Sequence, residues 1–441
     1  MEGLQPDVIT TVELTSLSDF QVKLYSSEDG KEVPSRHSYN YKKSNWSTPI
    51  TAMFQKSLSG DNCTYSVDSR YHYLINTYLT ADIPSVRVKD EYVDKVQIKL
   101  CKNLFHHIIK SRVLSIGKNP KQVQDRYSSD IYMCYYPKTD YYKRMIGNGY
   151  YTDNWCSSIE VGSISCPQRW FFDDCCGCYI RSKDNQEKAS LPIHLCDSNI
   201  TFNYRFNLDM RSFIIMRILD EEGSGRRWKV IDVDTKYIEM SCSDYQIKMP
   251  DMWGRLDMLT GEELQWRSSL TTRIMFRELE RIKYNTVALP GSTHNIDIVS
   301  TYPIVAIHWM IENLTSRSVN IRSNYSCDPV GNMYIDPCSN SSMSYASITR
   351  SMKRSAAHTT SIEGYYSMPC DTSPSGINTI SFSSDINSLD VVPSSSKGGV
   401  LSLWISSDDK QSKYKIRVYV TVIKELSYSS EGIDISGSNE D

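Results

Sequence analysis

Residues 199–210, NITFNYRFNLDM, alternate almost without a break. Ile200, Phe202, Tyr204, Phe206, Leu208 and Met210 share one face, and Thr201, Asn203, Arg205, Asn207 and Asp209 the other, the pattern of a strand half-buried in a sheet. A slip of one residue would bury Arg205 and Asp209 together, so the register is specified. The same period recurs on both sides along the chain. Tyr73, Ile75, Thr77, Leu79, Ala81 and Ile83 form one face of a strand that Pro84 stops, and Tyr414, Ile416, Val418, Val420 and Val422 alternate with polar residues near the end. Shorter strands are expected at 96–100, 229–233, 304–311 and 400–405.

The chain has 441 residues, more than one ordinary core accommodates, so two domains are expected. The run Glu221-Glu222-Gly223-Ser224-Gly225 is the best linker, and the expected division is an N-terminal arm at 1–30, sandwiches at 31–222 and 226–428, and a flexible acidic tail at 429–441. A helix is expected at Thr260–Tyr284, where Thr260 and Glu263 form a capping-box pattern. Many strands, little helix and long polar connections at 118–154, 316–344 and 385–397 give an all-β fold of two antiparallel sandwiches in series.

Composition excludes several function classes. With 49 basic against 52 acidic side chains the chain is neither disordered nor a polybasic nucleic-acid binder. No apolar run approaches the roughly 20 residues that span a bilayer, and the first residues do not resemble a secretory signal. Thirteen cysteines, an odd number, read as reduced thiols. The sequons at Asn45, Asn62, Asn199, Asn313, Asn324 and Asn340 read as incidental without secretion.

Chemistry-bearing motifs are few. Cys175 and Cys178 form one Cys-x2-Cys knuckle beside Cys176 and Cys166, but no second knuckle follows; loop thiols are the main reading and zinc at Cys166, Cys175, Cys176 and Cys178 the lesser one. His106 and His107, adjacent on an expected strand, read as one packed and one exposed imidazole. There is no nucleophile elbow and no phosphate loop, so neither catalytic residues nor a cofactor are assigned and the protein is read as a non-enzyme. The 30 tyrosines suit half-buried or contact surfaces. Tyr132, Tyr135, Tyr136, Tyr141, Tyr142, Tyr150 and Tyr151 are candidates either for subunit contacts or for packing within their own loop.

Five ordered blocks resemble the major capsid proteins of nucleocytoplasmic large DNA viruses. They are Ser35–Asn40, Asn76–Pro84 with Asn103–Lys110, Leu191–Phe206, Pro303–Trp309, and Pro374-Ser375-Gly376 with Ser381. The last is similar to the family's Pro-Ser-Gly-x-x-Asn-x-Ser element, although Thr379 stands at the Asn position and Asn378 comes one residue early. Residues 419–429 resemble the family's last strand and ending. The resemblance implies a double jelly roll, two consecutive eight-stranded sandwiches with long loops and one or a few short helices. It implies a homotrimeric, pseudo-hexagonal capsomer tiling an icosahedral shell, hence a structural protein of the virion assembled in the host cytoplasm. The implied partners are copies of itself, minor capsid or penton proteins and, through other proteins, an inner membrane, with no direct nucleic-acid contact. Alternatives are a poxvirus-type scaffold, a minor capsid protein of the same fold, or a glycan-binding or glycan-cleaving sandwich with a site around Trp170, Asp173 and Asp174.

Overall fold

The computed structural model describes residues 10–14, 20–24, 48–117, 119–135, 144, 146–172, 190–196, 199–220, 227–242, 244–269, 272–289, 292–302, 304–313, 327–328, 331–334, 377–381, 398–404, 406–407, 413–429 and 432–436. The first sandwich and its covering strands comprise β1 (Thr48–Met53), β2 (Gln55–Ser59), β3 (Asn62–Ser66), β4 (Tyr73–Ile83), β5 (Val96–Leu100), β6 (Ile109–Ile116), β7 (Asn119–Asp125), β8 (Gly162–Gln168), β9 (Ile200–Phe206), β10 (Ile214–Asp220), β11 (Arg227–Ile231) and β12 (Asp251–Met258). One antiparallel sheet runs β7-β6-β9-β3-β2 and the other β8-β4-β12-β1. A smaller sheet, β11-β10-β5, lies beside them.

The two expected long strands of this half are present as β4 and β9. Ile200, Phe202, Tyr204 and Phe206 are buried while Arg205 stays exposed, as the alternation requires. Aromatic rings fill the space between the sheets: Phe54 stacks on Phe202 at 6.0 Å, Tyr65 meets Tyr204 edge-on at 5.7 Å, and Trp170 tilts against Phe202 at 5.3 Å. Gly254 on β12 is what admits this packing, because a Cβ there would lie 2.2 Å from the tip of the Phe54 ring.

The second unit is built on β13 (Thr272–Ile282), β14 (Thr293–Val299), β15 (Ile304–Asn313), β16 (Ile377–Ser381), β17 (Gly398–Trp404), β18 (Tyr414–Ser429) and β19 (Gly432–Ser436). Its main sheet is β13-β18-β15-β16, and β14 pairs with β17. Ile296, Ile298, Trp309, Ile416, Val418, Val420 and Val422 form its core. The helices are short: α1 (Leu104–Ile108), α2 (Arg126–Tyr135), α3 (Tyr150–Asp153) and α4 (Gly261–Ser268).

Four expectations are corrected. The run 221–225 lies between β10 and β11, which pair with each other, and β12 sits in the first sandwich; the division between units therefore falls after Met258. The helix expected at Thr260–Tyr284 ends at Ser268, and residues 272–282 form β13. Phe276, Arg277, Glu278 and Leu279 are all buried in that strand, so the apolar alternation that marks a half-exposed strand is missing. His106 and His107 lie on α1, not on a strand, and both are buried. The tail expected to be flexible from residue 429 instead adds β19 to β18 through Gly432–Ser436.

Candidate functional site

No catalytic constellation is implied by the sequence, so the features that matter are the seam joining the two units and the surfaces left open around it. The seam forms where β7 runs into α2. Asp125 ends the strand and caps the helix: its Oδ1 accepts from the Ser128 amide at 2.9 Å and from the Ser128 hydroxyl at 3.0 Å. Its Oδ2 accepts from the Tyr419 hydroxyl of β18 at 2.6 Å, with Arg281 of β13 at 3.9 Å. Burial pushes the Tyr419 phenol well above its usual range, so it stays a donor. Beside it, Arg417 sits 3.9 Å over the Tyr127 ring, and Ile131, Leu279, Met310 and Tyr419 close an apolar cluster.

Further along β13, Phe276 packs at 5.1 Å on Phe171 of the first unit. Glu278 is buried, and desolvation raises its carboxyl above the usual range. It is held by Lys424 at 2.6 Å, an ammonium shared with Glu280 at 2.9 Å. These contacts combine charge-assisted hydrogen bonds with apolar burial on the line where two domains would otherwise hinge.

The connector α4 is clamped to the first unit. Thr260 accepts the Glu263 amide at 3.4 Å, so half of the expected capping box is present, but the Glu263 carboxylate turns inward to accept from Arg267 Nε at 2.9 Å. Both side chains are buried, and Arg267 lies 5.6 Å over the Tyr73 ring. Nearby, His72 accepts from the Leu259 amide at 2.8 Å, and its carbonyl receives His194 Nδ1 at 2.9 Å.

The sequence candidates are placed as follows. Tyr150 is 65% exposed, and Tyr151, edge-on to it at 5.4 Å, packs against the first core. Tyr132 and Tyr135 lie on α2, while Tyr136, Tyr141 and Tyr142 fall outside the described residues. Ser381 closes β16, opposite Ala306; Pro374, Ser375 and Gly376 fall outside the described residues. Cys166 is buried with its sulfur 4.0 Å from His106 Nε2, and Cys175, Cys176 and Cys178 fall outside the described residues. Among the described residues no group of three or more potential ligands is placed to hold a metal.

Trp170 cannot serve as the sugar platform considered for it. It is 1% exposed, and its ring is covered by the buried guanidinium of Arg112 at 5.1 Å. That guanidinium donates to Gln124 at 2.8 Å and to Gln168 at 2.7 Å, an amide cage inside the core. Asp173 and Asp174 fall outside the described residues.

Two features have no legible sequence signal. Ser292, His294 and Tyr284 form a chain, with His294 Nε2 2.6 Å from Ser292 Oγ and Nδ1 2.7 Å from the Tyr284 hydroxyl. The Ser292 hydroxyl donates to the Leu289 carbonyl and accepts its amide, so the chain closes a turn and presents no free nucleophile. The other feature lies at β1 and β2, end strands on which no further described strand pairs and where Met53 and Leu58 are 57% and 55% exposed.

No family model matches the chain. The major capsid protein of Simulium iridescent virus is 20% identical over 395 residues, covering 82% of this chain and 79% of the relative. Among solved structures, VP54 of PBCV-1, fitted into a reconstruction of the virophage Sputnik, superposes with a TM-score of 0.54 at 11% identity, over 90% of this chain and 98% of that one. The Faustovirus major capsid protein gives 0.53 at 7% identity, over 88% and 92%. Both matches run through both units, and the fold they share with this chain is the double jelly roll.

Proposed function

We infer that this chain, a distant relative of the major capsid proteins of large DNA viruses, is a structural subunit of a virion shell and not an enzyme. The observation that carries the reading is the similarity to a major capsid protein along four-fifths of both chains, together with a double jelly roll whose halves are locked at the Asp125–Tyr419 seam. A shell subunit must transmit load between neighbours without hinging. Two sandwiches joined by hydrogen bonds, an ion pair and a shared apolar cluster form such a rigid wall, and the loops around it are free to vary.

Three chains assemble into a pseudo-hexagonal block, and blocks tile the shell. The exposed Tyr150, which opens α3, belongs to the contact surface of that assembly. Minor capsid or penton proteins fill positions that a block cannot, an inner membrane is reached only through other proteins, and particles form in the host cytoplasm. Negative-stain imaging and light scattering of the purified full-length chain test this: three-fold blocks of about 150 kDa, three times the 50.6 kDa chain, are expected, and a monomer at all concentrations would refute it.

A further inference from the structure

Among the described residues, the two main sheets of the first sandwich end in four strands: β7 and β2 in one, β8 and β1 in the other. Three of them carry a proline, Pro120 in β7, Pro167 in β8 and Pro49 in β1. Proline lacks the amide that a neighbouring strand would need, a common guard on an open edge. β2 has none. Its five residues, Gln55 to Ser59, are all exposed, and Leu58 shows 55% of its surface. Its single charge does not guard the edge either, because the Lys56 ammonium is turned back across the mouth of the sandwich onto Asp251 of β12.

The backbone of β2 has a particular symmetry. β2 and β3 are joined by the two-residue turn Gly60–Asp61, with Gly60 at φ +59 and Ser59 opposite Asn62. From that closing pair, the antiparallel alternation directs the amide and carbonyl of Gln55, Ser57 and Ser59 toward β3, and those of Lys56 and Leu58 outward. The two outward residues are placed symmetrically about Ser57. Antiparallel pairing of a strand with its own copy has a two-fold axis through the central residue, and a register centred on Ser57 is the one that uses both outward residues of each copy.

We propose that β2 is a self-pairing edge that joins two copies of this chain across a two-fold axis, in the antiparallel register centred on Ser57. Lys56 of one copy exchanges both backbone hydrogen bonds with Leu58 of the second, and the reverse, so four bonds form and the β7-β6-β9-β3-β2 sheet continues into its counterpart. The exposed Leu58 side chain then covers the aliphatic stem of Lys56 from the second copy. The occupant is a second copy because the strand is neutral apart from a lysine already paired, its open groups match themselves, and a shell subunit meets its own kind. The inference rests on the capsid reading and adds a contact between blocks to it.

The test is mild oxidation of full-length Ser57→Cys, concentrated as for assembly, beside Gln55→Cys and wild type. Facing residues at a non-hydrogen-bonded position have Cα atoms about 4.5 Å apart, within disulfide range. Ser57→Cys is therefore expected to give a dimer whose cross-linked peptide joins position 57 to itself. Gln55 falls opposite Ser59 of the second copy, so its variant should give none. Leu58→Pro removes one outward amide per chain without touching the β2·β3 ladder. It should raise the concentration needed for arrays about tenfold or more, with the melting temperature unchanged. Absence of the 57–57 link in concentrated Ser57→Cys overturns the proposal. Three-fold blocks seen without that link leave the capsid reading intact, whereas absence of blocks removes that reading itself.

Discussion

The hydroxyl of Tyr419 and the carboxylate of Asp125, 294 positions apart in sequence, meet at 2.6 Å and tie the last long strand of the second unit to the helix cap of the first. One carboxylate thus serves two purposes, ending β7 with a capped helix and receiving the phenol across the seam. An isolated cap would be worth about 1 kcal/mol, and the second bond makes the same residue a hinge lock.

Tyr419→Phe removes only the donor and keeps the ring in its apolar cluster. A hydrogen bond to a charged acceptor contributes about 1.5–3 kcal/mol, and Asp125 retains Ser128 and Arg281. The expected result is a stability loss in that range, measured as a lowered urea midpoint at unchanged slope. An unaltered midpoint would show that the seam does not depend on this bond.

Gly254→Ala tests the aromatic layer. The added methyl would meet Phe54, which is stacked on Phe202, and the ring can yield only by leaving that stack. Overpacking of this kind costs about 1–3 kcal/mol, readable as a drop in melting temperature. Near-UV circular dichroism should change with it, because the displaced ring reports the same event.

Arg267→Met leaves Glu263 as a lone buried carboxylate beneath α4. Breaking a buried pair by removing one partner costs about 3–5 kcal/mol, while replacing both with apolar residues is often neutral. The single variant should be strongly destabilised in thermal melts. Glu263→Leu combined with Arg267→Met should recover most of the loss, and failure of that rescue would mean that the pair does more than fill the site.

Acid should loosen the protein through its buried histidines. Burial holds His107 and His308 at about 3, against 6.5 for a free imidazole. His308 is enclosed with its Nε2 2.7 Å from the Thr421 hydroxyl, and His107 faces the positive charge of Arg126. Both pKa values are depressed in the folded state. Their contribution is therefore complete above about pH 6.5 and is lost as pH falls from there toward 3. At pH 5 each costs about 2 kcal/mol. Glu278, shifted upward by burial, works in the opposite sense and offsets part of this. Denaturant midpoints should fall between pH 6.5 and 5, and His308→Gln should show a shallower slope in that window.

β4 and β9 were legible because each has one face in a core and one toward polar surroundings; β18 keeps that alternation only from Tyr414 to Val418, beyond which Tyr419, Thr421 and Ile423 bury its second face as well. β13 was hidden by the opposite circumstance. Packed between the second unit and the first, it buries Arg277 and Glu278 beside Phe276 and Leu279, so no period separates its faces and the nearby cap extended an expected helix over it. The run at 221–225 carries the composition of a linker, but that composition also suits the connection between two paired strands, and only the pairing of β10 with β11 distinguishes the two.

The sequence by itself determined that the chain is all-β, that it needs two cores, and where its most regular strands run, because side-chain alternation is a local property. The tertiary structure alone decided which strands share a sheet, that Asp125 meets Tyr419, that Trp170 lies beneath Arg112, and that β2, among the described residues, is the end strand of the two main sheets that carries no proline. Those facts depend on contacts between residues tens to hundreds of positions apart, where the entropy of closing a loop rises so slowly with its length that local sequence barely constrains which partner is met.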